Sequence, residues 1–162
     1  MPKFKISIKA DLENVTHLRP QDINEYDWRF KFRCIKCQEE HAGWVTVNAS
    51  DEVEQSNTRG VSNLVMRCKS CKNEGTANVL VDTLSAYTLE SSGQFAPLVQ
   101  IECRGLVPFE WAPADGWQAE GAESETPFTD IPLGEGEEWA EYDEKASGPV
   151  GVTELEGKVE KA

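Results

Sequence analysis

Histidine is nearly missing from this chain, with 2 among 162 residues, His17 and His41. Catalytic arrangements built on imidazole, and metal sites built on several imidazoles, therefore have almost nothing to draw on. No apolar run reaches the roughly 18 residues of a membrane-crossing helix. Basic residues thin out along the chain: residues 1–105 carry 13 Lys and Arg against 14 Asp and Glu, whereas residues 106–162 carry 3 against 15. The formal net charge of -13 argues against an extended contact with a phosphate backbone, which needs surplus cations. There is no glycine-rich phosphate loop, no HExxH and no nucleophile elbow, and no window repeats apolar residues at helical spacing. The opening Met1-Pro2-Lys3-Phe4-Lys5 alternates apolar and charged residues instead of entering the apolar stretch of a secretion signal. A soluble cytoplasmic protein is expected, with nuclear presence left open.

What is there reads as strands. Phe4, Ile6, Ile8 and Ala10 alternate with Lys5, Ser7 and Lys9, and Trp28, Phe30 and Phe32 alternate with Arg29, Lys31 and Arg33. Both have the two-residue period of a half-buried strand. Residues 44–48, 61–67, 76–84 and 98–103 add further β-rich runs, with polar or turn residues between them. The expected fold is all-β, an antiparallel sandwich or distorted barrel formed as a single domain over residues 1–162. Residues 49–62 are polar enough for a long exposed loop, and 112–136 read as loops and turns. Residues 137–146 offer at most a turn or two of helix. The acidic third still contains Phe109, Trp111, Trp117, Phe128, Trp139 and Tyr142. Residues 106–150 are therefore expected to wrap over the body as an irregular but ordered segment, with 151–162 frayed. No internal repeat longer than the paired cysteines is visible.

Four of the 5 cysteines form two CxxC units, Cys34-Ile35-Lys36-Cys37 and Cys68-Lys69-Ser70-Cys71. A two-residue spacer lets one turn aim both sulfurs at a single ion about 2.3 Å away, so two such turns complete a tetrahedron. Each pair follows an apparent strand, the layout of zinc knuckles. Four thiolates leave no open position, so one structural zinc ion per chain is expected, held by Cys34, Cys37, Cys68 and Cys71. A redox dithiol would want its CxxC at a helix N-terminus, and no helix follows either pair. An iron–sulfur or other soft-metal site has the same thiolates to use. The remaining cysteine, Cys103, lies beside Ile101 in a strand pattern and reads as a buried thiol.

The other candidates carry less chemistry. Arg33, Lys36, Arg67, Lys69 and Lys72 crowd the knuckles and offset the charge of -2 that zinc with four thiolates carries. The same cations are the one place where single-stranded RNA or an acidic protein surface would bind, with Trp28, Phe30, Phe32 and Trp44 as stacking rings. The alternation around 28–32 instead places three of those rings in the core. His41 follows Cys37 closely enough to support the site, but four cysteines leave it the part of a hydrogen-bonded histidine. Glu120, Glu123, Glu125, Asp130 and Asp143 read as solvated acids, and no catalytic residue stands out.

Taken end to end, the chain resembles the eukaryotic CXXC-motif-containing zinc-binding proteins, an otherwise uncharacterised family. The resemblance rests on Leu12-Glu13-Asn14-Val15-Thr16-His17-Leu18-Arg19-Pro20 after the opening strand and on the two CxxC units. It continues through Glu102-Cys103-Arg104-Gly105-Leu106-x-Pro108 and Trp139-x-x-Tyr142-Asp143-Glu144-Lys145-Ala146. It implies a mostly-β cytosolic domain whose Cys34, Cys37, Cys68 and Cys71 hold one zinc ion, and it supplies no reaction. The last residues, Leu155 to Glu160, are more polar than the family's final strand. The expected function is a monomeric, non-enzymatic zinc-binding protein that meets protein partners through its basic metal end or its acidic face. The alternative is a metal-handling protein that exchanges its ion, with RNA binding at the metal end behind both.

Overall fold

The computed structural model describes residues 2–56 and 60–162. Fourteen β-strands and three single-turn 3-10 segments make up its regular structure, and no α-helix occurs among the described residues. A six-stranded antiparallel sheet runs in the order β13 (Trp139–Asp143), β14 (Gly148–Lys161), β1 (Lys3–Glu13), β9 (Ala96–Arg104), β8 (Glu74–Leu80) and β7 (Leu64–Arg67). Two three-stranded sheets curl over it. One has the order β10 (Leu106–Ala112), β3 (Trp28–Cys34), β4 (Val45–Val47), the other β12 (Pro127–Ile131), β11 (Trp117–Gly121), β2 (Val15–Pro20). A short ribbon, β5 (Val53–Glu54) with β6 (Val61–Ser62), occupies the expected loop at 49–62, of which residues 57–59 lie outside the described residues.

The strand faces follow the sequence alternation. Trp28, Phe30, Phe32 and Cys34 of β3 are all buried, while Arg29, Lys31 and Arg33 between them are half-buried. Burying the three rings contributes on the order of 2–3 kcal/mol each. Trp28 and Trp117 each meet Tyr26 edge-on, with ring centroids 4.6 and 5.5 Å apart, and Trp111 lies 6.2 Å from Trp28. Such aromatic pairs add about 0.5–1.5 kcal/mol beyond the buried area. This cluster joins the acidic third to the body: Trp111 and Trp117 come from strands β10 and β11.

Three expectations need correction. Residues 112–136, read as loops and turns, contain β11 and β12, and residues 137–146, read as at most a turn or two of helix, contain β13. Residues 151–162 do not fray, because β14 continues to Lys161 and pairs with the whole of β1, from Glu13↔Gly151 to Phe4↔Lys161. Without β14, the central β1 would present an unpaired edge, and Val150, Val152 and Leu155 would leave the core. Polarity misled because the strand's outer face is acidic and solvated.

The fold also carries a repetition that the side chains do not show. The two ends of the molecule repeat one another strand for strand, β7–β8–β9 against β13–β14–β1 and β4–β3–β10 against β12–β11–β2. The registers match: Leu64↔Ala77 and Met66↔Gly75 in one end answer Trp139↔Val152 and Glu141↔Val150 in the other. Likewise Ala77↔Cys103 answers Val152↔Leu12, and Cys34↔Leu106 answers Gly121↔Val15. The approximate two-fold axis passes between β1 and β9, which pair as Phe4↔Ile101 and Ile6↔Val99. Left-handed residues turn β9 into β10 and β1 into β2, Gly105 at φ +76° and Asn14 at φ +55°. The halves have also exchanged their first two strands. β1 and β2 complete the end made by β11–β14, and β9 and β10 complete the end made by β3–β8.

Candidate metal centre

The inward-facing row of β3 ends on Cys34, so the aromatic face of the strand leads directly to the first sulfur. The chain then turns sharply. The Gln38 N–H donates to the Cys34 carbonyl and the Cys34 N–H to the Glu39 carbonyl, both at 2.9 Å. Between β7 and β8 the same turn recurs, Lys72 N–H to the Cys68 carbonyl and Cys68 N–H to the Asn73 carbonyl, again at 2.9 Å. Gln38 and Lys72, each just after the second cysteine, are left-handed at φ +66° and +65°. β3 belongs to a three-stranded sheet and β7–β8 to the six-stranded one, so the turns bring cysteines from two sheets to one point.

The four sulfurs lie within 4.8 Å of one another, with Cys34–Cys71 and Cys37–Cys68 at 3.6 Å. Disulfide bonding needs about 2.05 Å, and all four thiols are free. Tetrahedral zinc with bonds of about 2.3 Å places its sulfurs about 3.8 Å apart, which matches the cluster. Soft thiolates also suit the ion chemically. Cys34 and Cys68 are buried, Cys71 is half-buried and Cys37 is exposed. The Asn73 side-chain amide donates to Cys34 Sγ at 3.9 Å.

Backbone amides prepare two of the sulfurs for the charged state. The Cys37 N–H, helped by that of Lys36 and opposed by burial, holds the Cys34 thiol down at about 6. Cys68 is lowered in the same way by the N–H groups of Cys71 and Ser70. Cys37 goes the other way. The Glu39 N–H pulls it down, but burial and the thiols of Cys68, Cys71 and Cys34 push it up to about 12. Four clustered thiolates cannot all ionise without a cation among them. A divalent ion held by Cys34, Cys37, Cys68 and Cys71 would resolve that conflict by supplying the missing positive charge.

The remaining candidates fall elsewhere. Cys103 is buried in β9, and desolvation pushes its thiol up to about 12, as the buried-thiol reading anticipates. Trp28, Phe30 and Phe32 are core residues, unable to stack on a base; Trp44 alone of that set is exposed, beneath the Lys31 ammonium. His41 is held by its backbone to the Phe32 carbonyl, and His17 is paired with Glu120. Arg67 reaches Glu74 at 3.9 Å, and Lys72 Nζ donates to the Lys69 carbonyl. Sequence reasoning missed a cleft of about 370 Å³ lined by Asp27, Arg29, Asp115, Glu135 and Glu137. Its four carboxylates are exposed; Asp115 accepts from the Gly134 N–H and Asp27 from the Asn48 amide.

Comparison with known proteins agrees with this geometry. A family described as "CXXC motif containing zinc binding protein, eukaryotic" matches residues 5–160. Proteins named "CXXC motif containing zinc binding protein" from Xenopus laevis and Homo sapiens are 40% and 39% identical. The first alignment covers 99% of each chain and the second 96% of each. The crystal structure titled C1orf123 superposes with a TM-score of 0.91 at 37% identity, covering 99% of both chains. A hypothetical protein from Plasmodium falciparum gives 0.86 at 25% identity over 99% of this chain and 100% of its own. With its four-cysteine zinc site and a match over almost its full length, this chain belongs to the eukaryotic CXXC-motif-containing zinc-binding protein family.

Proposed function

We propose that the zinc ion is a structural tie and that the protein acts as a non-enzymatic interaction module. The observation that carries this reading is the closed set of four sulfurs drawn from turns of two different sheets. Such a set leaves no position for water or substrate and makes metal binding part of folding. Partners would meet the cationic metal end, around Lys36 and Lys69, or the acidic face that includes Glu123 and Glu144. Binding of a protein partner through one of these faces should fall on charge reversal there and persist on reversal of the other; a partner indifferent to both contradicts the module reading.

Metal exchange is the second reading, and the exposure of Cys37 favours it. A chelator distinguishes the two. A structural tie gives up zinc slowly, at the rate of unfolding and together with the loss of near-UV circular dichroism. A metal-handling site gives it up quickly while the sheets stay folded.

A further inference from the structure

The approximate two-fold relation carries the zinc turns onto two turns at the opposite end of the molecule. One joins β11 to β12, the other β13 to β14. In the first, the Glu125 N–H donates to the Gly121 carbonyl and the Gly121 N–H to the Thr126 carbonyl, both at 2.9 Å, with Glu125 left-handed at φ +59°. These are the bonds of the Cys34 turn, with Gly121 in the place of Cys34 and Ser124 in that of Cys37. In the second, Asp143 pairs with Gly148 and Ser147 is left-handed at φ +55°, which puts Asp143 in the place of Cys68 and Ala146 in that of Cys71. Two of the four ligand positions thus lack a donor side chain, and the other two carry Ser124 and Asp143.

We infer that this turn pair is an ion-free counterpart of the zinc site, in which the Asp143 carboxylate holds together the two turns that zinc ties at the other end. The bonds of Asp143 fit the role. Cys68 Sγ accepts from the N–H groups of Ser70 and Cys71. Asp143 Oδ1 accepts from the equivalent N–H groups of Lys145 and Ala146, at 3.1 and 3.3 Å. Across the gap, where Cys37 Sγ faces Cys68 Sγ, the Ser124 hydroxyl donates to Asp143 Oδ2. Thr126 Oγ1 completes the link, donating to Asp143 Oδ1 at 3.0 Å. The carboxylate is thereby bonded to both turns, as a metal ion would be. It is buried at 1% exposure with these partners and no cation among them, which is rare for a carboxylate. The space is already committed: a Cβ built on Gly121 would lie 2.2 Å from Ser124 Oγ and 2.6 Å from Asp143 Oδ2. The side-chain direction at that position therefore points into the cluster, as that of Cys34 does into the zinc site.

The inference is tested by restoring the ligands. In the full chain, the combined substitution Gly121→Cys, Ser124→Cys, Asp143→Cys and Ala146→Cys should raise the zinc content from one to two ions per chain. It should also double the cobalt–thiolate charge-transfer absorption on cobalt loading. A folded variant that still holds a single ion overturns the inference. Because four changes risk the fold, Asp143→Ala is a second arm, read by amide hydrogen exchange. Exchange at Gly121 and at position 143 should accelerate at least about a hundredfold, from core protection to that of a fraying turn, while Cys34 and Cys68 stay protected. Asp143→Asn, which keeps one acceptor oxygen, should restore part of the protection. Unchanged exchange at Gly121 in Asp143→Ala overturns the inference, as does equal acceleration at Cys34.

Discussion

Cys68 and Cys103 are both almost fully buried, yet replacing each by alanine should have very different consequences. Cys103→Ala removes one sulfur from an apolar site in β9, a small cavity that costs about 1–2 kcal/mol. For a chain of this length that lowers Tm by roughly 2–8 °C and leaves the zinc content at one. Cys68→Ala removes a metal ligand, and the N–H groups of Ser70 and Cys71 lose their acceptor. An ion in a four-thiolate site contributes on the order of 10 kcal/mol of apparent binding free energy. That is comparable to the whole stability of an ordinary domain, about 5–15 kcal/mol. The variant should therefore purify with little or no zinc and show no cooperative melt at the metal end. The assay is elemental mass spectrometry on protein prepared without added metal, paired with thermal unfolding followed by near-UV circular dichroism. A Cys68→Ala protein that keeps one zinc ion, or that melts within a few degrees of its Cys103→Ala counterpart, would refute the reasoning.

Zinc affinity should fall as pH falls, and the slope should steepen below about pH 6, where the Cys34 thiol must also surrender its proton to the metal; competitive chelator titrations between pH 5 and 8 measure this. A pH-independent affinity would contradict a four-thiolate site. Gly75→Val should destabilise the chain by about 1–3 kcal/mol without loss of metal, because a Cβ there lies 2.4 Å from Leu106 Cγ across the sheet packing. Thermal melts and zinc content together check it. Deleting residues 149–162 should abolish cooperative unfolding altogether, since it strips β1 and β13 of β14, the strand between them; a truncated chain that melts near the parent temperature would return the segment to the status of a loose tail.

How much of this was legible depends on where the signal resided. The strand at Trp28–Cys34 was plain because one face is aromatic and the other cationic, and the metal centre was plain because spacing and ligand type coincide. β14 was obscured by its exposed face of Glu154, Glu156, Lys158 and Glu160, which hides a pairing partner that only the fold reveals. β11 and β12 were obscured by proline and glycine at their flanks, which read as turn chemistry while marking turns between real strands. The repetition of the two ends was invisible for a different reason. Hydrogen-bond register leaves no imprint on side chains, and Gly121 and Ala146 share nothing with Cys34 and Cys71 except backbone geometry.

The exchange of opening strands has a consequence for biogenesis. A chain emerging from the ribosome first presents β1 and β2, whose partners β14 and β11 lie in the last third of the chain. Both cysteine pairs are available long before β10, which flanks the Cys34 strand, has been synthesised. The zinc end can assemble from the contiguous run β3–β10, but the opposite end cannot complete its sheets without β1 and β2, so its closure must wait for contacts spanning most of the chain, the slow class of folding event. During that interval the apolar face of β1 and the open thiols coexist in an unfinished polypeptide. Early capture of zinc by two half-built turns would then serve as an assembly checkpoint, fixing one end while the N-terminal strand awaits its mate.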